Sequence, residues 1–160
     1  MTLVVRTSTV SETEAVGHRL GRALEGGELI ALTGPLGAGK TALARGIARG
    51  LGVPREAQVS SPTFAIVNVY SGGRLPMYHA DFYRVTDAEE LYDVGFYDLI
   101  GSGGVVCVEW IDRIPEVAPE ERLAVELRPI PTGREIVFTA VGAQAERTLR
   151  GIQEGRPSRP

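Results

Sequence analysis

Residues 34–41, GPLGAGKT, set glycines around a tight turn and close it with a lysine and a threonine. The spacing fits G-x-x-x-x-G-K-[ST], a pattern whose chemistry is phosphate binding. Glycines allow successive backbone N–H groups to point inward, with no Cβ in the way of a phosphate. The helix that starts there contributes unpaired N–H groups and the positive end of its dipole. Lys40 is a point charge for the β- and γ-phosphates, and the Thr41 hydroxyl is a ligand for Mg²⁺. A turn that merely tightened a strand-to-helix connection would explain Gly37 and Gly39, but not the Lys40 and Thr41 that follow.

Mg²⁺ prefers an octahedron of oxygens, so one hydroxyl is too few and a carboxylate is expected nearby. In open α/β sheets that carboxylate stands at the carboxyl end of a strand. Two residues qualify. Glu109 ends the apolar run VVCV, and Asp81 ends MYHA. Glu109 could instead be a surface carboxylate paired with an arginine. Trp110, next in the chain, is a stacking platform or partner anchor on one reading and core on another. In SSPTF, residues 60–64, Pro62 biases the backbone to an extended shape, so that Thr63 can offer its hydroxyl to the γ-phosphate or Mg²⁺. His79, two residues before Asp81, shares its strand face; it orients a carboxylate, acts as a base, or is a satisfied structural histidine. Arg84 neutralises phosphate or pairs with Asp87.

These residues need a scaffold. LVVRT (3–7) reads as a first strand. Ser11 with Glu14 reads as the capping box of a first helix ended by Gly26-Gly27. ELIALT (28–33) is apolar without alternation, as a strand covered on both faces should be. A helix is predicted from Lys40 to about Leu51. Two strands around SGGR form an antiparallel pair. Asp87 with Glu90 caps a short helix, GVVCVEW is a strand, and two strands around PTG form a C-terminal hairpin. The fold class is α/β, a three-layer P-loop NTPase-like domain with a mixed central sheet, because hairpin strands cannot be parallel. Residues 1–142 form the domain; 143–160 read as a polar, basic tail that begins as a helix and frays.

The bulk numbers narrow the function classes. The chain has 160 residues, 43% of them hydrophobic, which is enough for one self-sufficient core. A formal net charge of −3 lacks the basic excess of a general nucleic-acid binder. Its single cysteine, Cys107, sits in an apolar run and rules out a disulfide framework. No secretion signal or membrane-length apolar segment is legible, so a cytoplasmic protein without membrane contact is expected.

GPLGAGKT, SPTF, YHADFYR, EEL and VEW, in this order, resemble the bacterial TsaE family of tRNA threonylcarbamoyladenosine biosynthesis ATPases. The resemblance runs from the first helix to Trp110 and more loosely through the C-terminal hairpin. It implies a small ATPase working with TsaB and TsaD homologues, which install the modification, so that tRNA is met only through the complex. It implies ATP and Mg²⁺ as cofactors. Matched position by position, it implies catalytic Lys40, Glu109 and Asp81, and metal-directed Thr41, Glu109 and Asp81. Nucleotide contacts fall to Gly34, Gly37, Ala38, Gly39, Lys40, Thr41, Ala42, Thr63 and Trp110. Pro35 stands where the family often has Asp and Ala42 where it often has Thr, so any contact of those side chains is missing here.

Other functions compete. A P-loop kinase for a small molecule needs a second pocket and usually an arginine-bearing lid, and the arginines here are scattered. A GTPase would carry Asn-Lys-x-Asp, which does not occur, so ATP is favoured. A nucleotide-dependent binding module with little turnover would share the same loop.

Overall fold

The computed structural model describes residues 1–60, 62 and 66–155. Strand β1 (Thr2–Thr7) leads to helix α1 (Val10–Ala23) and then to β2 (Leu29–Thr33), the strand that feeds the glycine loop. Helix α2 (Lys40–Gly50) follows the loop, then the pair β3 (Val67–Tyr70) and β4 (Met77–Asp81). Short helices α3 (Ala88–Asp93) and α4 (Phe96–Leu99) precede β5 (Val105–Glu109). Strands β6 (Arg122–Ile130) and β7 (Gly133–Val141) form the C-terminal hairpin, and helix α5 (Ala143–Glu154) closes the described chain.

The seven strands lie in one sheet in the order β1-β7-β6-β2-β5-β4-β3. Strands β6, β2, β5 and β4 run parallel; β1, β7 and β3 add antiparallel edges. The sheet is therefore mixed, with the loop-bearing strand at its middle. One face packs Ile30, Leu32 and Cys107 against Leu20, Leu43, Ile47 and Leu149 of α1, α2 and α5. The other packs Ala31, Val106 and Val108 against Leu91, Phe96 and Ile111. Those two apolar layers make the three-layer α/β architecture. Among the described residues no helix is long and apolar enough to cross a membrane.

Two details depart from expectation. The cap of α1 is Thr9, whose hydroxyl accepts from Glu12 N at 3.1 Å, while Glu12 accepts from Ser8 N at 2.7 Å. A cap with the same three-residue spacing thus lies two residues upstream of Ser11 and Glu14, and Thr13 lies inside the helix with its hydroxyl bonded to Thr7. Glu14 instead pairs with Arg45 across to α2 at 2.7 Å. The segment after Gly142 forms α5 as far as Glu154, with Ala145, Thr148, Leu149 and Ile152 buried. Its charges lie between those positions, which made it read as a tail.

Helix α2 carries the loop's lysine and threonine, so its placement matters. It crosses α1 at backbone contact. A methyl group on Gly46 would lie 2.1 Å from Glu14 O, and one on Gly17 would lie 2.4 Å from Leu43 O. Alanine normally favours a helix over glycine by about 1 kcal/mol. Here Gly46→Ala is expected to destabilise instead, by about 1–3 kcal/mol, since neither backbone can yield. Thermal melting checks the sign: the variant should melt lower by on the order of 5 °C.

Candidate nucleotide site

The loop leaves the buried end of β2 and ends on the first turn of α2. Gly39 caps that helix at φ 105°, with no side-chain cap and no acidic residue in the first turn. Its first N–H groups thus lack the partner a Ser, Thr or Asp would have supplied. Gly34 must be glycine: φ is 142°, and a Cβ there would lie 2.5 Å from Leu127 O. Lys40 folds back on its own loop, donating to Gly34 O at 2.5 Å and Pro35 O at 2.9 Å. The Ala38 N–H donates to Pro35 O at 3.1 Å. Gly34 and Ala38 shape the loop, while Gly37, Gly39, Lys40, Thr41 and Ala42 line a cavity of about 620 Å³.

The parallel pairing of β4 with β5 sets Asp81 opposite Glu109 at the same sheet edge. Thr41 Oγ1 lies 3.5 Å from both Glu109 oxygens, so the two residues meet across the end of β2. Glu109 is only 3% exposed. Asp81 accepts from Tyr83 N at 2.9 Å. Burial raises the Asp81 pKa, with the Tyr83 N–H opposing and the Glu109 charge adding to the rise. Burial also lowers the pKa of Lys40, while Glu109, Asp81 and Asp112 pull it up. Burial pushes the Cys107 thiol well above its ordinary value, and the group lies inside the core.

Trp110 is the one non-glycine residue at positive φ among the described residues, at 62°. That left-handed turn directly follows Glu109 and brings the indole over Lys40, with Nζ 4.4 Å from the ring centroid. Such an arrangement suits a partly desolvated ammonium. The Tyr83 ring lies 5.2 Å from the indole, and Arg113 stacks on Tyr83 at 4.8 Å. Pro62 and Ile66 line the same cavity, as do Arg84 and Glu90. Thr63 lies outside the described residues.

Lys40, Thr41, Asp81, Glu109 and Trp110 are thus brought to one cavity. One contributor escaped the sequence reading. Arg134, at the start of β7, lies against the outside of the loop and donates to Gly37 O at 3.4 Å. No motif marks it; only the hairpin's register carries it there. His79, for which orienting a carboxylate was one of the readings, is bonded to Glu109 at 2.6 Å. Its strand face was legible, but its partner was not.

The donor set suits a magnesium-bound triphosphate. An uncapped helix start and a buried ammonium attract phosphate, whereas Asp81, Glu90 and Glu109 would repel it unless a divalent cation stood between. Among the described residues no group of three or more His, Cys, Asp or Glu is placed to hold a metal ion. A cation here would draw the rest of its oxygens from phosphate and water, as Mg²⁺ usually does. Residues that would hold it are Thr41, Glu109 and Asp81.

Residues 7–136 match a family model described as threonylcarbamoyl adenosine biosynthesis protein TsaE. The tRNA threonylcarbamoyladenosine biosynthesis protein TsaE of Bacillus subtilis is 42% identical over 142 residues, covering 88% of this chain and 87% of the relative. Its counterpart in Treponema pallidum is 39% identical over 132 residues, covering 82% and 96%. The crystal structure of Bacillus subtilis YdiB superposes with a TM-score of 0.76 at 35% identity, covering 96% of this chain and 95% of that one.

Proposed function

This chain belongs to the TsaE family of threonylcarbamoyl adenosine biosynthesis proteins, and on that premise we propose that it is a Mg²⁺-dependent ATPase serving a TsaB–TsaD complex in the cytoplasm. One observation carries the reading: at the uncapped start of α2, Lys40 and Thr41 meet Glu109, whose carboxylate is 3.5 Å from the Thr41 hydroxyl. Backbone N–H groups of the loop and of Lys40, Thr41 and Ala42 bind phosphate oxygens. Lys40 turns from the Gly34 and Pro35 carbonyls to the β- and γ-phosphates. Mg²⁺, when bound, would supply positive charge against the charge that develops on the phosphates. Thr41, Glu109 and Asp81 would hold that ion, and Glu109 also stands where it can align a water for attack. Trp110 and Tyr83 wall the cavity and limit solvent.

Among the described residues the cations lining the cavity are Lys40 and Arg84. Among the described residues no arginine-rich lid covers it, which favours an accessory ATPase over a small-molecule kinase. Phosphate release from ATP, measured with the chain alone and then with TsaB and TsaD homologues and tRNA, tests the proposal. A slow rate that rises about tenfold or more with the partners is expected; typical enzyme turnover leaves ample room above it. Release at the blank level in both cases, or transfer to a small acceptor, would overturn it.

A further inference from the structure

We propose that His79 is a positioning residue: a buried imidazole that fixes the orientation of the Glu109 carboxylate toward Thr41 and the metal position. The inference rests on the reading of Glu109 as metal-directed. His79 is 0% exposed, and its Nε2 lies 2.6 Å from Glu109 Oε2. The contacts from Thr41 to the same carboxylate are long, at 3.5 Å. Hydrogen-bond strength falls steeply over that range, so of these two contacts the short bond from His79 holds the carboxylate more firmly.

The tautomer follows from the partners. An ionised carboxylate only accepts, so Nε2 must carry the hydrogen. Nδ1 is a buried polar atom without a hydrogen-bond partner among the described residues. The opposite tautomer would strand an N–H at Nδ1 and turn a lone pair at Nε2 toward the carboxylate, which is worse on both counts.

Packing alone does not explain this residue. Met77, two positions upstream on the same face, and Cys107, its register partner on β5, are both buried apolar fillers. An apolar side chain at 79 would fill the space without an orphaned ring nitrogen. The fold carries that unpaired atom and gains one short bond to one carboxylate. The ring is also braced. Tyr70 lies 6.3 Å from it, and the Tyr70 hydroxyl is itself tied to Ser60, accepting from its N–H at 3.2 Å and donating to its carbonyl at 3.1 Å. A ring held in this way transmits its position to Glu109. Partners that orient metal-binding side chains typically change affinity or activity by about 10–100-fold when removed.

His79→Phe and His79→Gln separate orientation from packing. Phe fills the cavity without a donor, whereas the Gln amide nitrogen reaches the Nε2 position. Two readouts are needed: ATP hydrolysis with partners, and affinity for a fluorescent ATP analogue titrated against Mg²⁺ without turnover. His79→Phe is expected to lower kcat about 10–100-fold, leave KM for ATP within about threefold, and raise the Mg²⁺ concentration needed for tight nucleotide binding about tenfold. His79→Gln should recover most of both. Wild-type kcat and Mg²⁺ dependence in a folded His79→Phe would overturn the proposal. So would a His79→Gln as impaired as His79→Phe with an equal loss of melting temperature, since that marks packing alone. A variant that does not fold leaves the decision to the Gln variant. Should the wild type release no phosphate even with partners, the hydrolysis reading falls, while the Mg²⁺ titration still decides His79.

Discussion

Lys40→Ala is expected to remove measurable ATP binding, and turnover with it. Two effects combine. The ammonium is the charged donor at the loop, held at 2.5 and 2.9 Å by carbonyls it can exchange for phosphate oxygens. Hydrogen bonds to charged groups contribute about 1.5–3 kcal/mol each, so losing two costs about 3–6 kcal/mol, or at least about a hundredfold in affinity. In addition, Lys40 is only 5% exposed, next to Glu109 and Asp81. Without it those carboxylates face an incoming triphosphate uncompensated. Loop geometry should survive, because Gly34, Gly37 and Gly39 set it through their backbone. Titration with a fluorescent nucleotide checks the affinity, and thermal melting checks the fold. A folded Lys40→Ala that binds ATP as tightly as the wild type would remove the phosphate assignment for residues 34–41.

How much of this was legible beforehand depends on the range of the contact. The loop, strand β2 and helix α2 are consecutive, so chemistry and context stand side by side in the chain. Glu109 and Asp81 were legible as carboxylates ending apolar runs, because a buried strand gives no reason to stop in a charge. Their juxtaposition was not, since it requires β4 to pair with β5 in a register that sets 81 opposite 109. The same pairing carries His79 to Glu109, thirty residues away. Hydrophobic patterning reports which face a residue occupies but not which strand lies beside it.

Other features were hidden for different reasons. The α1–α2 crossing uses Gly17, Gly21, Gly46 and Gly50, each with a Cβ position less than 3.0 Å from the opposite backbone. Glycines spaced by four on two helices are visible only once the helices are known to touch. Helix α5 concealed its apolar stripe of Ala145, Leu149 and Ile152 among arginines and glutamates. The left-handed backbone at Trp110 could not be read from residue type, because tryptophan rarely adopts it. It became intelligible when the indole was seen over Lys40: the unfavourable turn lets consecutive residues serve the site, one as carboxylate and one as lid on the ammonium.

That arrangement makes Glu109→Gln the sharper test of mechanism. Glutamine keeps the shape of the side chain and leaves an oxygen to accept from His79 and from the Thr41 hydroxyl, so the local hydrogen bonds persist. What disappears is one buried negative charge. The fold should tolerate this, because a buried carboxylate carries a desolvation cost that its neutral isostere avoids. Melting temperature is expected to stay level or rise. At saturating Mg²⁺ nucleotide affinity should hold, since a group that repels phosphate has been neutralised, while the Mg²⁺ concentration needed for tight binding should rise as it does in His79→Phe. Hydrolysis is expected to fall about 10²–10³-fold, the range for losing a positioned base or a charge aimed at the reacting centre. The diagnostic pattern is therefore tight binding with lost turnover, opposite to Lys40→Ala, where binding itself goes. Single-turnover phosphate release at saturating ATP, beside the binding titration, distinguishes them. If Glu109→Gln hydrolysed ATP at the wild-type rate, the carboxylate at the end of β5 would be a buried structural partner of His79, and the chemistry would have to be sought at Asp81.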